Sequence, residues 1–358
     1  MNELADRDFR RILLIKPSSP GDIIHALPVL RGIRRRFPDA TISWLIAKSF
    51  VNMLESETTL NEIIPFDRRH YGRLGRSWQS TRDFLNFMMD LRRKKFDLVI
   101  DLQGLFRSGF LAWGSRAKVR IGFQDAREMA WMFYTHRAPR DDAEKHAAER
   151  NFDVAAILGV DRAQPDFRIA VSTDDTTMAR NLIRSRLGGD QRYIVMAPST
   201  RWPTKCWPAE RFGQLAETLH QSSGLKTLLV GGHGDIEDGR AAEDAGAGAA
   251  INLCGYTTLR QLAALIDRAS LVVTADSTPM HLAAAHARPL VALFGPTNPV
   301  RTGPYGRSRD VVRLELDCSP CYFRKLKQCP HQHRCMRDLS VAQVAAAALS
   351  RLDGRSAT

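Results

Sequence analysis

The segment RILLIKPSSPGDIIHAL, residues 11–27, passes from an apolar run of strand length through a polar turn into a helical pattern. Proline and glycine in the turn separate the two patterns. Similar apolar runs recur along the chain and predict strands in two series. The first series covers residues 11–15, 42–46, 98–101 and 119–121, and the second covers residues 193–197, 227–230, 250–253, 271–274 and 291–294. This alternation of strands and helices predicts an α/β fold with parallel sheets.

A polar segment near residues 161–166 separates the two series. The sequence therefore predicts two α/β domains, residues 1–170 and 171–340, followed by a C-terminal helix and tail, residues 341–358. The clearest helical patterns outside the first series are at residues 176–187, 211–220, 259–269 and 341–352. Because open parallel sheets bind ligands beyond the carboxyl ends of their strands, we expect the functional site in a cleft between the two sheets.

The composition is that of a globular protein. Of the 358 residues, 44% are hydrophobic and 25% are charged, which excludes a mainly disordered chain. The longest apolar stretches, residues 271–275 and 290–294, are far shorter than the roughly 20 residues of a membrane-spanning helix. Residues 1–11 lack the apolar core of a secretory signal, so we expect a cytoplasmic protein.

The charge of the chain predicts an anionic partner. Its formal net charge is +13, which is compatible with phosphates, a nucleic acid or an acidic membrane surface. No RNA-recognition aromatic pattern, zinc-finger spacing or helix-turn-helix signature accompanies the basic residues, so a nucleic-acid-binding protein is the less favoured class. Six cysteines in a cytosolic chain favour packing, metal binding or redox chemistry over a disulfide framework.

The turn after the first strand has two interpretations. Ser19 fits a helix N-cap, Pro20 the first helical position and Asp22 the third, so Asp22 could simply complete a capping box. A carboxylate at the carboxyl edge of a sheet can instead take a proton from an alcohol.

The turn after residues 271–274 could bind an anion. Pro279 suits the first helical position, which makes Ser277 or Thr278 the cap, and a helix N-terminus flanked by hydroxyls suits a diphosphate. The alternative is an ordinary capped helix with Asp276 at its mouth and His281 packed against a strand. A second polar turn, residues 294–299, is expected at the same sheet edge.

Two further turns follow strands of the second series. Glu237 replaces the third glycine of a dinucleotide fingerprint, which disfavours a nicotinamide cofactor. Its carboxylate could hold ribose hydroxyls or could be a solvated first-turn glutamate. Ser199, Thr200 and Lys205 could bind phosphate or could form a surface loop. No Walker loop occurs, so nucleotide triphosphate hydrolysis has no support.

Together these motifs resemble the ADP-heptose:lipopolysaccharide heptosyltransferases, glycosyltransferase family 9. The matching segments, in order, are residues 12–28, 101–104, 120–123, 205–208, 231–237, 276–281 and 294–297. The resemblance implies a GT-B architecture of two Rossmann-like domains facing a central cleft. It also implies a lipid-linked acceptor in the N-terminal half, a nucleotide sugar in the C-terminal half, and inverting transfer without a metal ion or other cofactor.

The resemblance also assigns roles to individual residues. Asp22 matches the general base of the family. The donor-binding residues that it implies are Ser199, Thr200, Lys205, Glu237, Asp276, Ser277, Thr278 and His281. The acceptor-binding residues are predicted to be Ser19, Gly21, His25, Gln103 and Arg107. Thr278 departs from the family, because many members have glycine there; its hydroxyl could contact the diphosphate, or the donor could be a different nucleotide sugar.

The basic residues of the first half suit an acceptor with phosphates on an anionic membrane. Arg31, residues 34–36 and residues 92–95 form two such stretches, whose alternative role is as solvated helix faces. We therefore expect peripheral attachment to the cytoplasmic face of the inner membrane and no nucleic-acid partner.

A cluster of cysteines precedes the final helix. Cys318 and Cys321 have the spacing of a zinc knuckle, but Cys329 and Cys335 are separated by five residues rather than two. We expect the cluster to be structural and not catalytic, without bound zinc.

Overall fold

Parallel strand pairing organises both halves of the chain. The computed structural model describes residues 4–354 except 140, 141, 143, 163 and 164. The strands of the described residues are β1 (Arg11–Ile15), β2 (Thr41–Ala47), β3 (Glu62–Phe66), β4 (Leu98–Asp101), β5 (Val119–Phe123), β6 (His136–Ala138), β7 (Tyr193–Ala197), β8 (Lys226–Leu229), β9 (Ala250–Asn252), β10 (Leu271–Ala275), β11 (Leu290–Phe294) and β12 (Val311–Arg313).

The helices of the same residues are α1 (Pro20–Arg36), α2 (Arg68–Tyr71), α3 (Trp78–Arg93), α4 (Phe106–Gly114), α5 (Ala147–Ala156), α6 (Thr173–Leu187), α7 (Ala209–Ser223), α8 (Ile236–Asp244), α9 (Leu259–Asp267), α10 (Thr278–Ala285), α11 (Pro299–Thr302), α12 (Arg334–Arg337) and α13 (Val341–Leu352). None of these helices combines the length and apolar character that a membrane crossing requires.

The chain divides into two compact units, Met1–Ala170 and Val171–Thr358. The first unit contains a six-stranded sheet of order β3-β2-β1-β4-β5-β6, and the second a six-stranded sheet of order β12-β11-β10-β7-β8-β9. Every strand pairing among the described residues is parallel. Counted within its own unit, each sheet has the doubly wound order 3-2-1-4-5-6, so the sequence-based α/β prediction is confirmed.

The central strands are buried along their length because helices cover the two faces of each sheet. Strands β1, β4, β7, β10 and β11 were predicted close to their observed bounds, whereas β3, β6 and β12 were not predicted. These three strands lie at sheet edges. Edge strands are short and half exposed, so they lack the continuous apolar run that identifies a buried parallel strand.

Side chains of the loops complete the second core. Trp207 is buried and donates from Nε1 to the Leu339 carbonyl at 2.8 Å, which joins the start of α7 to the segment before α13. Helix α13 packs against α7, β10 and β11, so it is an integral part of the second unit. A side chain at Gly295, after β11, would overlap Met336 and Cys335, which explains the glycine at this close approach.

Candidate active site

Each doubly wound sheet has one topological switch point, where helices leave neighbouring strands in opposite directions. It lies between β1 and β4 in the first unit and between β7 and β10 in the second. Ligands of open α/β sheets bind at the carboxyl end of this point. The turns singled out from the sequence follow these four strands, with additional turns after β8 and β11.

Asp22 is part of a capping box and is also accessible. It occupies the third position of α1, where its Oδ2 accepts the backbone N–H of Ser19 at 2.9 Å and the Ser19 hydroxyl at 2.7 Å. The predicted cap, first position and third position of this helix are therefore confirmed. The Asp22 side chain remains 40% exposed, and its Oδ1 lies 3.8 Å from Lys16 Nζ. The capping role and a proton-accepting role are thus compatible in one side chain.

Lys16 connects the two turns at the switch point of the first unit. This lysine is buried at the end of β1 and donates from Nζ to the Leu102 carbonyl at 2.7 Å. Gln103 Oε1 accepts the Ser18 backbone N–H at 3.3 Å, which adds a second link between the same turns. The segment that presents Asp22 is therefore held by contacts with the segment after β4. No local sequence pattern singles out Lys16 as a functional residue.

Asp101 orders the turn that contains Gln103. Its Oδ1 accepts the backbone N–H groups of Gln103 at 2.8 Å and Gly104 at 3.2 Å, and its Oδ2 accepts the Tyr134 hydroxyl at 2.6 Å. Burial raises the pKa of the Asp101 carboxyl, although these hydrogen bonds oppose that rise. Burial and the neighbouring carboxyl also raise the pKa of Tyr134. The signal for Asp101 in the sequence was its position as the last residue of a strand that ends at a predicted site.

The other residues predicted to bind the acceptor differ in accessibility. Gly21 is buried within the first turn of α1, and His25 is buried with its ring 5.0 Å from that of His146. This burial favours a packing role for His25 over contact with an acceptor. Arg107, in contrast, is exposed at the start of α4. Partial desolvation and the nearby charge of Arg68 lower the pKa of Arg107, so an anion would relieve the repulsion between the two guanidinium groups.

In the second unit, Asp276 is the centre of a polar cluster. It is buried after β10, and its Oδ2 accepts from Lys205 Nζ at 2.6 Å, Thr297 Oγ1 at 2.8 Å and Thr302 Oγ1 at 3.4 Å. Lys205 Nζ also lies 4.4 Å from the centre of the Trp202 ring. The lysine predicted to contact phosphate is thus paired with the aspartate predicted in a separate turn.

The start of α10 corrects one detail of the sequence prediction. Ser277 is the cap, Thr278 is the first helical residue, and Pro279 is second and not first. The Ser277 hydroxyl lies 2.9 Å from that of Thr274, which anchors the cap to β10. His281 is buried on this helix, as expected for a packed residue.

Two predicted donor-binding side chains lie nearer the solvent. The Thr200 hydroxyl donates to the Trp202 carbonyl at 3.0 Å and so closes its own turn. Glu237 is in the first turn of α8, 80% exposed and 3.3 Å from Arg240. Both features fit the structural interpretations of these residues and leave Glu237 accessible to a ligand.

The cysteine-rich segment surrounds a small cavity in the second unit. Cys318, Cys321, Cys329 and Cys335 line a cavity of about 240 Å³ and are free thiols. Burial and the three neighbouring thiols raise the pKa of Cys335 to about 11. Across the described part of the chain, no group of three or more His, Cys, Asp or Glu side chains is arranged to hold a metal ion.

The basic stretch of α1 is used inside the first unit. Arg31 contacts Glu57 Oε2 and the Asp166 carbonyl at 2.7 Å and 2.8 Å. Arg34 donates to the carbonyls of Thr59 at 3.1 Å and Ala40 at 2.7 Å. These contacts favour a structural role for Arg31 and Arg34 over contact with an acceptor or a membrane.

Comparison with known proteins identifies the family of this chain. The model of glycosyltransferase family 9 (heptosyltransferase) matches residues 84–333. The chain is 31% identical over 331 residues to lipopolysaccharide heptosyltransferase 1 of Pseudomonas aeruginosa, covering 90% of this chain and 88% of that protein. It is 28% identical over 309 residues to the lipopolysaccharide core heptosyltransferase OpsX of Haemophilus influenzae, covering 85% and 84% of the two chains.

Solved structures share the whole fold. A family 9 glycosyltransferase from Veillonella parvula has a TM-score of 0.83 at 26% identity and covers 98% of this chain and 99% of its own. The Escherichia coli heptosyltransferase WaaC with ADP has a TM-score of 0.75 at 26% identity, with coverage of 94% and 98%. The fold is the GT-B type that the sequence predicted. The chain therefore belongs to glycosyltransferase family 9, the heptosyltransferases.

Proposed function

We propose that this enzyme transfers heptose from ADP-heptose to an inner-core acceptor of lipopolysaccharide, with Asp22 as the general base. The observation that carries the proposal is the accessible Asp22 carboxylate at the switch point of the first unit, within 3.8 Å of the Lys16 ammonium. A nearby cation favours the ionised form of a carboxylate, which is the form that accepts a proton. The relatives named for lipopolysaccharide heptose transfer supply the substrate class.

The proposed reaction is a single displacement. The acceptor hydroxyl gives its proton to Asp22, its oxygen forms a bond to the anomeric carbon, and the bond from that carbon to the diphosphate breaks. Attack opposite the leaving ADP inverts the anomeric configuration. Ser19 holds Asp22 Oδ2 through two hydrogen bonds, which fixes the carboxylate while the proton moves.

The second unit is proposed to bind the donor. Lys205 keeps donor capacity after its bond to Asp276, because an ammonium group has three N–H donors. The N-terminus of α10, with Ser277 and Thr278, is proposed to bind the diphosphate and offset the charge that develops on it without a divalent ion. Ser199 and Thr200 are proposed to contact the donor after β7. Glu237 is proposed to accept from the ribose hydroxyls, since its carboxylate is exposed.

The first unit is proposed to bind the acceptor. Gln103 and Arg107 follow β4, so they are candidates to contact the sugar and its anionic groups. A lipid-linked acceptor would place the enzyme at the cytoplasmic face of the inner membrane. The net charge of +13 supports attraction to both the acceptor and that surface.

A transfer assay with the purified full chain tests the function. With ADP-heptose and a heptose-free core acceptor, mass spectrometry should find one added heptose and release of ADP, and the yield should persist in excess chelator. Nuclear magnetic resonance should show the inverted anomer. Loss of transfer in chelator that is reversed by Mg²⁺ would contradict metal independence. Transfer only from another nucleotide sugar would instead favour the alternative that Thr278 suggests.

Donor recognition is tested separately by calorimetry with ADP. Glu237→Ala should weaken ADP binding about tenfold, because a hydrogen bond to a charged group contributes about 1.5 kcal/mol. Glu210→Ala is the matched control, since Glu210 is an exposed first-turn glutamate of α7 for which no donor contact is proposed. Equal ADP affinity in Glu237→Ala and the parent would remove Glu237 from the donor site.

A further inference from the structure

Large apolar side chains are exposed on one side of the first unit. Helix α3 presents Trp78, Leu85 and Met89, which are 82%, 56% and 43% exposed. Their spacing of seven and four residues puts them on one stripe of the helix. This stripe is separate from the buried face of α3, which includes Phe84 and Met88. Helix α3 therefore has an apolar side that the unit itself does not cover.

Two other elements of the first unit also expose apolar side chains. Phe106 and Trp113, each 50% exposed, lie one above the other on α4. The 3₁₀ turn Ala130–Phe133 follows, with Met132 at 53% exposure. The Phe133 ring lies 5.3 Å from Phe106 and 6.4 Å from Trp113, so this turn and α4 form one surface.

Helix α3 is joined to the same surface. Phe110 of α4 lies 6.4 Å from Phe84 of α3 and 5.7 Å from Trp113. The buried face of α3 therefore packs against α4, so the three elements that expose apolar side chains are neighbours in the first unit. We call the solvent-facing side of α3, α4 and the 3₁₀ turn the aromatic face.

Arginines are frequent in the segments that form the aromatic face. Residues 68–93 contain seven arginines and two aspartates. Arg82 on α3 and Arg116 after α4 are exposed. The Arg137 guanidinium lies 5.1 Å from the Trp131 ring. Tryptophan beside arginine is typical of surfaces that lie at the boundary between lipid headgroups and acyl chains.

We propose that the aromatic face docks the enzyme onto a bilayer rich in anionic lipids. The inference rests on the proposed function, in which the acceptor is anchored in a membrane. Charge complementarity selects the bilayer over a second copy of the chain: a symmetric dimer through this face would bring like-charged arginines together, whereas anionic headgroups neutralise them. Arg31 and Arg34 of α1, which are paired internally, are not needed for this contact.

Vesicle flotation of the full chain without substrates tests the proposal. The parent should bind vesicles that contain phosphatidylglycerol and should bind vesicles of phosphatidylcholine alone much more weakly. The triple variant Trp78→Ser, Leu85→Ser, Met89→Ser should bind at least about tenfold more weakly, because its apolar side chains would otherwise be buried in the interface. Arg82→Gln with Arg116→Gln should weaken binding about fivefold for each arginine and should reduce its salt dependence.

Matched variants elsewhere control for general effects. Leu326→Ser removes an apolar side chain that is 51% exposed in the second unit, and Arg180→Gln with Arg186→Gln removes two exposed arginines of α6. Both should bind vesicles like the parent. Equal vesicle binding by the triple variant and the parent would overturn the proposal. So would a parent dimer that the triple variant converts to a monomer with vesicle binding unchanged, because the face would then be a contact between copies.

A water-soluble acceptor without acyl chains separates this proposal from the proposed function. On that acceptor the triple variant should keep the turnover of the parent. Loss of turnover on that acceptor, in folded protein, would overturn a purely docking role for the face. A parent that binds vesicles and transfers no heptose would contradict the proposed function and leave the docking surface supported.

Discussion

Lys205 Nζ lies 2.6 Å from Asp276 Oδ2, so a cation after β7 pairs with a carboxylate after β10 across the switch point of the second sheet. Both side chains are largely buried, at 15% and 6% exposure. A buried ion pair fixes the loop that contains the lysine. Removal of one partner destabilises the fold, because the other charge is then buried without a counterion.

Variants of this ion pair should separate its effect on the free energy of unfolding from its effect on donor binding. Lys205→Ala should lower the free energy of unfolding by about 3 kcal/mol, because it leaves Asp276 buried without its cation. Lys205→Met combined with Asp276→Asn should recover most of that loss. Both variants should bind ADP at least about tenfold more weakly than the parent, since a charged hydrogen bond to phosphate is missing in each. Urea unfolding and calorimetry measure the two effects.

A matched ion pair in the first unit provides the control. Lys145 Nζ lies 2.7 Å from Asp153 Oδ2, with exposures of 20% and 12%. Lys145→Met with Asp153→Asn should leave ADP affinity unchanged. Parent-like ADP binding by Lys205→Ala would place the donor site away from the switch point.

The capping and catalytic roles of Asp22 can be separated with a second capping box. Asp22→Asn should reduce turnover by a factor on the order of 100 or more, the range for loss of a general base, while ADP binding stays close to that of the parent. Asp175 occupies the same third position in α6, where its Oδ2 accepts the Ser172 backbone N–H at 3.1 Å and hydroxyl at 2.7 Å.

Asp175→Asn is therefore a control for the loss of a capping carboxylate outside the proposed site, and it also breaks the buried ion pair of Asp175 with Arg260 at 3.0 Å. It should lower the free energy of unfolding by about 3 kcal/mol, because it removes a cap and a buried ion pair, and leave turnover per folded molecule unchanged. Asp22→Asn should lose turnover at a similar or smaller cost in stability. If single-turnover rates of Asp22→Asn equalled those of the parent, Asp22 would be only a helix cap.

The elements that sequence predicted well are those whose local pattern and tertiary role agree. Buried parallel strands such as β7 need a continuous apolar run, and that run is visible without the fold. The start of α6 was placed three residues late, because the Ser172 capping box extends the helix into a segment without apolar periodicity. Edge strand β12 takes its shape from pairing with β11, which its own sequence does not show.

The sequence predicted which positions lie in the turns of the candidate site, but it did not predict which side chains contact each other there. Strand ends identified Asp22, Lys205 and Asp276 because chemistry at a switch point uses turn residues. The contact between Lys205 and Asp276 joins residues 71 apart in sequence, and no local pattern contains that information. The sequence also did not show which side chains are buried. His25 lies one helical turn after the accessible loop that follows β1, yet its side chain is buried in the first unit.

The Asp101–Tyr134 pair predicts a pH-dependent stability difference. The folded state raises the pKa of Asp101 through burial, so its proton is retained to a higher pH than in the unfolded chain. Protonation of Asp101 therefore favours folding most below its unfolded pKa, and this contribution is lost as pH rises through the folded pKa. The Tyr134 hydroxyl stabilises the ionised carboxylate.

Tyr134→Phe should consequently destabilise the protein more at high pH than at low pH. At a pH where Asp101 is ionised the loss should be about 2 kcal/mol, because a buried carboxylate loses a partner. Tyr193→Phe is the control: its buried hydroxyl donates to the Leu265 carbonyl at 2.7 Å, which does not titrate. Urea unfolding across the acid and neutral range should give a constant loss for Tyr193→Phe. A constant loss for Tyr134→Phe as well would contradict the proposed coupling.

Thiol reactivity should follow the burial of the cysteines. Burial raises the pKa of Cys254 to about 12, and burial with neighbouring thiols raises that of Cys335 to about 11. Because the thiolate is the nucleophile, alkylation of both in folded protein should be slow near neutral pH and should accelerate about tenfold per pH unit. Peptide mass spectrometry after iodoacetamide treatment measures each site. Fast, pH-independent labelling of Cys335 would show that the segment opens.

The cysteine-rich segment should stabilise the second unit without taking part in transfer. The backbone N–H of Cys321 donates to the Pro296 carbonyl at 3.1 Å, and Thr204 Oγ1 donates to the Phe323 carbonyl at 2.6 Å. The segment thus contacts and stabilises the turn after β11 and the turn that contains Lys205. Cys318→Ser with Cys321→Ser should lower the melting temperature, because the cavity lining becomes more polar, while turnover of the folded fraction stays close to that of the parent.

Measurement of bound metal shows whether the four cysteines of that segment only pack together or also ligate a metal ion. The spacing of Cys329 and Cys335 departs from paired zinc knuckles, and a thiol with a raised pKa, such as Cys335, binds metal less readily because ligation needs the thiolate. Elemental analysis of protein purified without chelator should therefore find well under one zinc per chain. One equivalent of tightly held zinc, lost in the double serine variant, would show that the thiols are ligands. A selective loss of turnover in stable double variant would show instead that the segment belongs to the active site.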